Sequence, residues 1–459
     1  MGIRRIVLVG LLVSACAVGR VTVTGPPFPG TTPSTAAPTA STAPVIDLTV
    51  TGCASPPVTF GLLCEVVDRV TLNHFDPPEE ATLIAGALSG LDGFPTESIG
   101  DVPRGLTCAI PSAAWEPVCA KVIDRLRTDP VPVADLVEAG VVGMLTEGLD
   151  PYTQYIAPEL VSAVGEDGII PGVGIVVSAL TVAGSPCVRI ELVCPLKVVT
   201  VIPGSPAETG GLIAGDQIEA VDGEPVQGKT VVEVAALLAG DAGTSTELSV
   251  TRIGEPELLT LVRADSTAPP IMLEIVGRVG YVRLPEFGAD THLYMHAALE
   301  VMFEASPSTL ILDLRDNPGG FLYSASIIGS EFFSSGLLYK TLSPAGDLDY
   351  PAIEGGIATR IPMMVLVNGS SASAAEILAA VLQERGRAVI VGQPTYGKNL
   401  VQQPYELHNG GILRVSVATW TTPAGASVAG TGVVPDVTAD LPSQYTVEQV
   451  VEAALAAAG

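Results

Sequence analysis

Apolar positions recur differently in three stretches of this chain. From about 47 to 160 they return every three or four residues. Glu79-Glu80-Ala-Thr-Leu-Ile-Ala-Gly-Ala-Leu and Val133-Ala-Asp-Leu-Val-Glu-Ala-Gly-Val-Val-Gly-Met-Leu are examples, and the period predicts a helical N-terminal domain. Residues 166–265 carry short β-rich runs punctuated by Gly and Pro: Gly174-Ile-Val-Val-Ser, Lys197-Val-Val-Thr-Val-Ile, Gln217-Ile-Glu-Ala-Val and Thr246-Glu-Leu-Ser-Val-Thr-Arg. One helix, near 230–239, interrupts them. From 270 onward strands and helices alternate: strand 279–284, helix about 290–305, strand 309–314, a turn, a helix, strand 363–367, helix 373–385 and strand 388–391. Alternation of this kind predicts an α/β core over 270–441, followed by a C-terminal helix over 442–459. The fold class is therefore multidomain α/β: a helical N-terminal segment, a β-rich domain and an α/β core. No internal repeat is visible.

The first residues follow another pattern. Arg4 and Arg5 precede an apolar run from Ile6 to Val13, and Val13-Ser14-Ala15-Cys16 is a small-residue cleavage site ending in cysteine. The run is too short for a permanent membrane span, so residues 1–15 are expected to be a lipoprotein signal peptide, with Cys16 acylated and holding the protein to a membrane. An ordinary secretory signal with an incidental Cys16 is the plainer alternative. Residues 16–46, rich in Pro, Thr, Ser and Ala, read as a disordered tether.

Composition narrows the partners. Formal charge is −27, and −29 without Arg4 and Arg5 (20 basic residues against 49 acidic), a surface that repels nucleic acid. Cys16 aside, six cysteines fall into three close couples: Cys53 with Cys64, Cys108 with Cys119, and Cys187 with Cys194. Local pairs in even number suit three short-loop disulfides in an oxidising compartment, although six buried thiols fit the same spacing. No Cys-x-x-Cys pair argues for zinc. His292 and His296 stand at helical i, i+4 spacing, but no glutamate adjoins the first and no third ligand is evident. No cofactor or metal is expected.

Three segments carry chemistry. Ser373, in Val367-Asn-Gly-Ser-Ser-Ala-Ser-Ala-Ala-Glu-Ile377, precedes a strongly helical run. Ser373-Ala-Ala-Glu376 fits a capping box, in which both side chains satisfy helix-end amides. The same helix end stabilises developing negative charge, so a serine there can also attack a carbonyl. Lys398, in Thr395-Tyr-Gly-Lys-Asn-Leu-Val-Gln402, is one of five lysines and sits in a Gly-flanked, mostly apolar segment predicted to be strand. Burial there would lower its pKa enough for it to act as a base, and Gln402 could orient its amine without adding charge. A lysine merely snorkelling from a strand is the alternative. Leu312-Asp-Leu-Arg-Asp-Asn-Pro-Gly-Gly320 runs a hydrophobic strand into a tight turn with exposed amides, suited to an oxyanion hole or simply to ending a strand. None of the four histidines has a convincing Ser/His/Asp setting in the sequence.

Taken together, these segments resemble the C-terminal processing peptidases (tail-specific proteases), Ser-Lys serine peptidases with an embedded PDZ domain. Further motifs carry the likeness: Leu149-Asp-Pro-Tyr-Thr-Gln-Tyr155, Gly172-Val-Gly-Ile175, Pro203-Gly-Ser-Pro-Ala207, Gly215-Asp-Gln-Ile218, Thr421-Thr-Pro-Ala-Gly425 and Gly432-Val-Val-Pro-Asp436. They span roughly residues 60–440 in the family's order. The resemblance implies Ser373 as nucleophile, Lys398 as general base, Gln402 as its orienting partner and Glu376 as a supporting glutamate. It implies an oxyanion hole from the backbone of Ala374 with Gly319, or with Gly320 in its place. Residues 166–265 would be the PDZ domain. There Gly172, Val173, Gly174 and Ile175 would offer backbone amides to a peptide's terminal carboxylate, and Val231, Val234 and Leu238 would form the other groove wall. Three residues depart from the family pattern: Ser370 for a usual glycine, Ala375 for a serine and Asn399 for a glycine. None is a reacting group. The segment between Ser178 and Lys197 is also longer than usual, and a Cys187–Cys194 bridge would staple it.

The implied activity is that of a membrane-anchored endopeptidase of the bacterial cell envelope, on its extracytoplasmic face. It would cleave exported proteins or peptides with apolar C-terminal tails near those tails. A non-catalytic PDZ lipoprotein that only binds tails is the alternative. A homo-oligomer is compatible with the sequence.

Overall fold

The computed structural model describes residues 46–94, 103–128, 131–161, 173–179, 189–201, 205–213, 215–264, 271–442 and 445–458. The chain divides into two compact units. The first ends at Leu149, and the second comprises Asn73–Pro77 and Asp150 onward.

In the first unit, β1 (Asp47–Gly52), α1 (Val58–Asn73), α2 (Glu80–Gly93), β2 (Gly105–Ile110), α3 (Glu116–Thr128) and α4 (Val133–Gly148) follow in order. Four helices form as expected, and in addition β1 and β2 pair in parallel over six residues. Both runs (DLTVTG and GLTCAI) are too short for a helix and rich in β-branched or apolar residues. Disulfides join Cys53 to Cys64 and Cys108 to Cys119, tying each strand region to the following helix. Among the described residues, no helix is long and apolar enough to cross a membrane.

The second unit opens with β3 (Gln154–Ile156) and α5 (Pro158–Val161). A β-rich part follows: β4 (Ile175–Ala179), β5 (Leu196–Val201), α6 (Pro206–Thr209), β6 (Gln217–Val221), β7 (Glu224–Pro225), α7 (Val231–Leu238), β8 (Ser245–Arg252) and β9 (Glu255–Val262). Its sheet runs β4-β5-β6-β8-β9, with β7 on β6, so among the described residues β4 has one unpaired edge. Thr230 and Glu233 form a capping box that starts α7 (3.1 and 2.6 Å).

The remainder builds two further sheets from β10 (Met272–Val276), β11 (Val279–Arg283), α8 (Thr291–Glu304), β12 (Thr309–Asp313), α9 (Leu322–Ser330), β13 (Leu337–Leu342), β14 (Leu348–Pro351), β15 (Met363–Val367), α10 (Ala374–Glu384), β16 (Val389–Gly392), β17 (Leu400–Glu406), β18 (Ile412–Thr421), β19 (Val437–Thr438) and α11 (Val447–Ala458). The larger sheet has the order β10-β11-β12-β15-β16-β19 and is parallel except at β10. Its central strands, TLILD and MMVLV, are apolar runs because both faces are covered. Residues of α8, α9 and α10 pack into the core on one face and α11 into the core on the other. The smaller sheet is antiparallel, β14-β13-β18-β17, with β3 added on β18. Loops from the C-terminal ends of the adjacent parallel strands β12 and β15, and the segment entering β17, carry the candidate site.

Candidate active site

Two loops leave neighbouring strand ends and are sewn together. After β15, the Asn368 side chain donates to Asp316 Oδ1 (2.7 Å) and accepts from the Asp316 amide (3.0 Å). The Ser371 hydroxyl donates to Leu314 O (2.7 Å), and the Ala372 amide to Asn317 O (2.9 Å). Beneath them, fully buried Arg315 grips Asp313 (2.6 Å) and Leu441 O (2.8 Å), while Tyr281 donates to Asp313 (2.6 Å). On this floor Ser373 stands immediately before α10 with φ 53° and ψ −115°, a backbone that side-chain-bearing residues rarely adopt. Such strain costs on the order of 1–3 kcal/mol and persists where its surroundings enforce it, as at functional sites.

Gly319 lies against Ser373. A methyl group on it, at φ +105°, would stand 2.8 Å from Ser373 Cβ and 3.0 Å from the Ala374 nitrogen. The Gly319 amide donates to Asn317 Oδ1 (2.8 Å), whereas Gly320 is exposed. Among the described residues the amides of Gly320 and Ala374 have no acceptor. The unengaged Ala374 amide directly follows the strained serine, and the unengaged Gly320 amide follows Gly319 in the chain.

The approach from Lys398 differs from the expected strand, because β17 begins only at Leu400. Gly397 has φ +92°, and the amides of Gly397 and Lys398 donate to Glu376 (2.7 and 2.9 Å) instead of to a neighbouring strand. Glu376 is fully buried and also accepts from the Thr395 hydroxyl (2.5 Å) and the Ser373 amide (2.9 Å). One carboxylate thus fastens the serine turn to the lysine turn. Burial pushes the Glu376 pKa up, and these four bonds pull the other way. The glutamate's interaction extends well beyond a capping box.

Lys398 Nζ donates to Gln402 Oε1 (2.7 Å) and lies 4.7 Å from the centre of the Tyr152 ring. Gln402 Nε2 donates in turn to Tyr152 O. Although the residue as a whole is half-buried, its amine end is enclosed, and that burial brings the pKa down to about 8. The positive charge of Arg414 lowers it further, against Asp150 and Glu376, which raise it. The amine is consequently neutral in an appreciable fraction of molecules near neutral pH.

In the sequence Leu149-Asp-Pro-Tyr is only a motif, and no pattern assigns a role to Asp150, Tyr152, Thr395, Tyr396 or Arg414. His74 is among the four histidines without a convincing Ser/His/Asp setting in the sequence. His74 is buried and meets Asp150 Oδ2 through Nε2 (2.8 Å). The Ser416 hydroxyl joins the same carboxylate (2.9 Å), not the imidazole, so these three are not a hydroxyl–imidazole–carboxylate relay. His292 and His296 turn to different partners: the first meets Tyr323 edge-on with ring centres 5.8 Å apart, and the second bonds Glu331 (2.7 Å).

In the β-rich part, Val173, Ile175, Val234 and Leu238 are fully buried in the domain's own core, and Val231 packs partly buried against it. Gly174, at φ +75°, turns the chain into β4. Gly172, Cys187 and Cys16 lie outside the described residues. Cys194 is buried and disulfide-bonded.

Comparison with known proteins identifies relatives of the chain. Residues 278–439 match the model of peptidase family S41, and residues 197–252 match a PDZ domain. The chain is 32% identical over 339 residues to a carboxy-terminal-processing protease of Bartonella bacilliformis, covering 71% of this chain and 75% of that one. It is 31% identical over 324 residues to the chloroplastic carboxyl-terminal-processing peptidase 2 of Arabidopsis thaliana, a match spanning 68% of this chain but only 62% of that protein's length. Among solved structures it is similar to a photosystem II D1 C-terminal processing protease, with 26% identity, a TM-score of 0.64, and 87% and 97% of the two chains covered.

Proposed function

Because the chain belongs to peptidase family S41, among the carboxyl-terminal-processing serine peptidases, we propose that it cleaves peptide bonds near the C-termini of protein substrates with Ser373 as nucleophile and Lys398 as general base. The observation that carries this reading is the Glu376 carboxylate, which holds the Ser373 and Lys398 backbones together while the Lys398 amine, at a pKa of about 8, is directed by Gln402. Neutral Lys398 Nζ takes the Ser373 proton as Oγ bonds to the scissile carbonyl carbon. The resulting oxyanion is met by the Ala374 amide and that of Gly320, or of Gly319 once Asn317 releases it. Collapse breaks the C–N bond, and the lysine proton passes to the departing amine. Water then attacks the acyl ester as Lys398 takes a proton from the water, and the ester C–O bond breaks as that proton passes to Oγ, returning the Ser373 hydroxyl and the neutral amine.

The open edge of β4 beside α7 supports a second part of the proposal, that the PDZ domain adds a substrate tail as an extra strand. With Val173, Ile175, Val234 and Leu238 fully buried, affinity would come first from main-chain pairing. The anchor proposal is that Cys16 carries lipid and keeps the enzyme on the extracytoplasmic face of a bacterial envelope. A Cys16→Ser chain released from the membrane fraction would support it, and one retained there would refute it.

Activity is tested with a peptide bearing an apolar C-terminal tail and its C-terminally amidated twin, using the wild-type, Ser373→Ala and Lys398→Ala proteins. Cleavage only by the wild type, and faster for the free carboxylate, is expected. Equal cleavage by all three would overturn the dyad. Tail binding without cleavage by any of them would favour the non-catalytic PDZ reading.

A further inference from the structure

Gln402 has two chemically different ends, and only one of them suits a lysine amine. Its Nε2 donates to Tyr152 O, which leaves Oε1 facing Lys398 Nζ at 2.7 Å. The Tyr152 carbonyl therefore decides which end of the amide the amine meets. With the amide turned over, N–H would face N–H and the amine would lose its acceptor. Tyr152 also sets the ring against which the amine rests.

What fixes Tyr152 is Asp150. Its carboxylate accepts from the Tyr152 amide (2.9 Å), the Thr153 hydroxyl (2.7 Å), the Ser416 hydroxyl (2.9 Å) and His74 Nε2 (2.8 Å). Ser416 is the cross-strand partner of Gln402 at the point where the β17–β18 register shifts, so Asp150 grips both sides of the glutamine. The Thr153 hydroxyl also accepts from the Ser416 amide (3.1 Å), and the Phe75 amide donates to Ser416 O (2.9 Å). Thr153, Ser416 and His74 are each at most 3% exposed, so these bonds are shielded from competing water.

We infer that Asp150 is a positioning residue for the general base: through Tyr152 and Ser416 it holds Gln402 in the one orientation that directs the Lys398 amine. This rests on the dyad reading above and deepens it. The Asp150 carboxylate bonds Tyr152, Thr153, Ser416 and His74, and so acts on the amine through other residues. Its charge has a second consequence, because it favours protonated Lys398 together with Glu376 of α10, against Arg414 of β18, while burial holds Tyr152 and the adjoining Tyr396 neutral. Removing the Asp150 charge should therefore loosen the amine and acidify it at once. A purely structural residue would do neither.

The test compares Asp150→Asn with wild type in kcat, KM and the pH profile of kcat/KM on a tail peptide. Ser373→Ala and Lys398→Ala run in parallel, and Glu331→Gln serves as a control carboxylate bonded to His296. We expect Asp150→Asn to lower the plateau kcat about tenfold or more with KM within about twofold, and to move the alkaline-rising limb acidward by a few tenths to about one pH unit. Glu331→Gln should leave the limb in place. A folded Asp150→Asn protein with an unmoved limb and unchanged kcat would overturn the positioning role while leaving the dyad standing. Activity surviving in Lys398→Ala would overturn both. Should Asp150→Asn be too unstable to assay, Ser416→Ala removes one of the two grips on Gln402, and an unaltered kcat and limb there would count against the role. An activity-independent reading comes from lysine 13Cε titration, since the chain has five lysines and the Lys398 signal is identified by its absence in Lys398→Ala. A Lys398 titration that coincides in wild type and Asp150→Asn would refute the inference.

Discussion

Replacing Gln402 with glutamate changes little in shape but puts a negative charge 2.7 Å from the Lys398 amine, where Oε1 now stands. In the wild type the lysine titrates at about 8, because burial and Arg414 outweigh Asp150 and Glu376. At pH 7 that leaves about a tenth of the molecules with a neutral base, some 300-fold more than an ordinary lysine would provide. An opposite charge in direct contact favours the charged form by about one to three pH units, which carries the lysine to roughly 9–11. At pH 7.5 the neutral fraction, and with it kcat/KM, should fall by about tenfold to several-hundredfold, and at pH 10 the deficit should shrink to about tenfold or less. The assay is the pH profile of kcat/KM on a fluorogenic tail peptide from pH 6 to 10.5. The lost Nε2 bond to Tyr152 O lowers the plateau, whereas the added charge moves the limb, so the two effects separate. A limb that stays near pH 8 in Gln402→Glu would refute the assignment of Lys398 as the titrating base.

Other perturbations follow from the same geometry. Lys398 keeps its proton to a higher pH when unfolded than when folded, so stability rises with pH between about 8 and 10.5, and below that window the buried charge is a cost. Lys398→Met should therefore abolish activity yet stabilise the protein at pH 7 by on the order of 1–3 kcal/mol, read by chemical denaturation; a destabilised variant would count against an enclosed amine. Glu376→Ala leaves the Thr395, Gly397, Lys398 and Ser373 donors without an acceptor and should cost about 3–5 kcal/mol along with nearly all activity. Gly319→Ala should reduce kcat at least tenfold, because its methyl group would press on Ser373 Cβ and the Ala374 nitrogen. Reducing the Cys53–Cys64 and Cys108–Cys119 bridges, each spanning 11 residues, should destabilise the first unit by about 3 kcal/mol per bridge, seen as a lower melting point in reductant.

Much of the architecture was legible because strong periods repeat over whole elements. The runs TLILD and MMVLV, too short for helices and alternating with helical segments, read as covered strands, and the helix after Ser373 follows from its apolar spacing. The short parallel strands β1 and β2 were hidden by the helices around them, since six residues in a helical neighbourhood carry too little pattern. Ser373, Lys398 and Gln402 stood out as residue types in unusual settings, but the strand expected at Lys398 did not form. Its amides turn to Glu376, a partner 22 residues away that no local propensity encodes. Asp150, Tyr152 and His74 were illegible as a group for the same reason: Tyr152 meets Gln402 across 250 residues, and His74 meets Asp150 across 76. The motif containing Asp150 and Tyr152 was visible, while the contacts that give it meaning arise only when β3 adds to β18.

On the proposed dyad, Ser373 Oγ attacks an acyl carbon or a phosphonyl phosphorus because Lys398 takes its proton. Intact-mass and peptide mapping of the protein after reaction with a fluorophosphonate measures this directly, with rates followed from pH 6 to 10. One adduct per chain is expected, on Ser373, forming with a rate that rises through about pH 8 and drops by orders of magnitude in Lys398→Ala. An adduct on another residue, or a Ser373 adduct forming equally fast without Lys398, would contradict it.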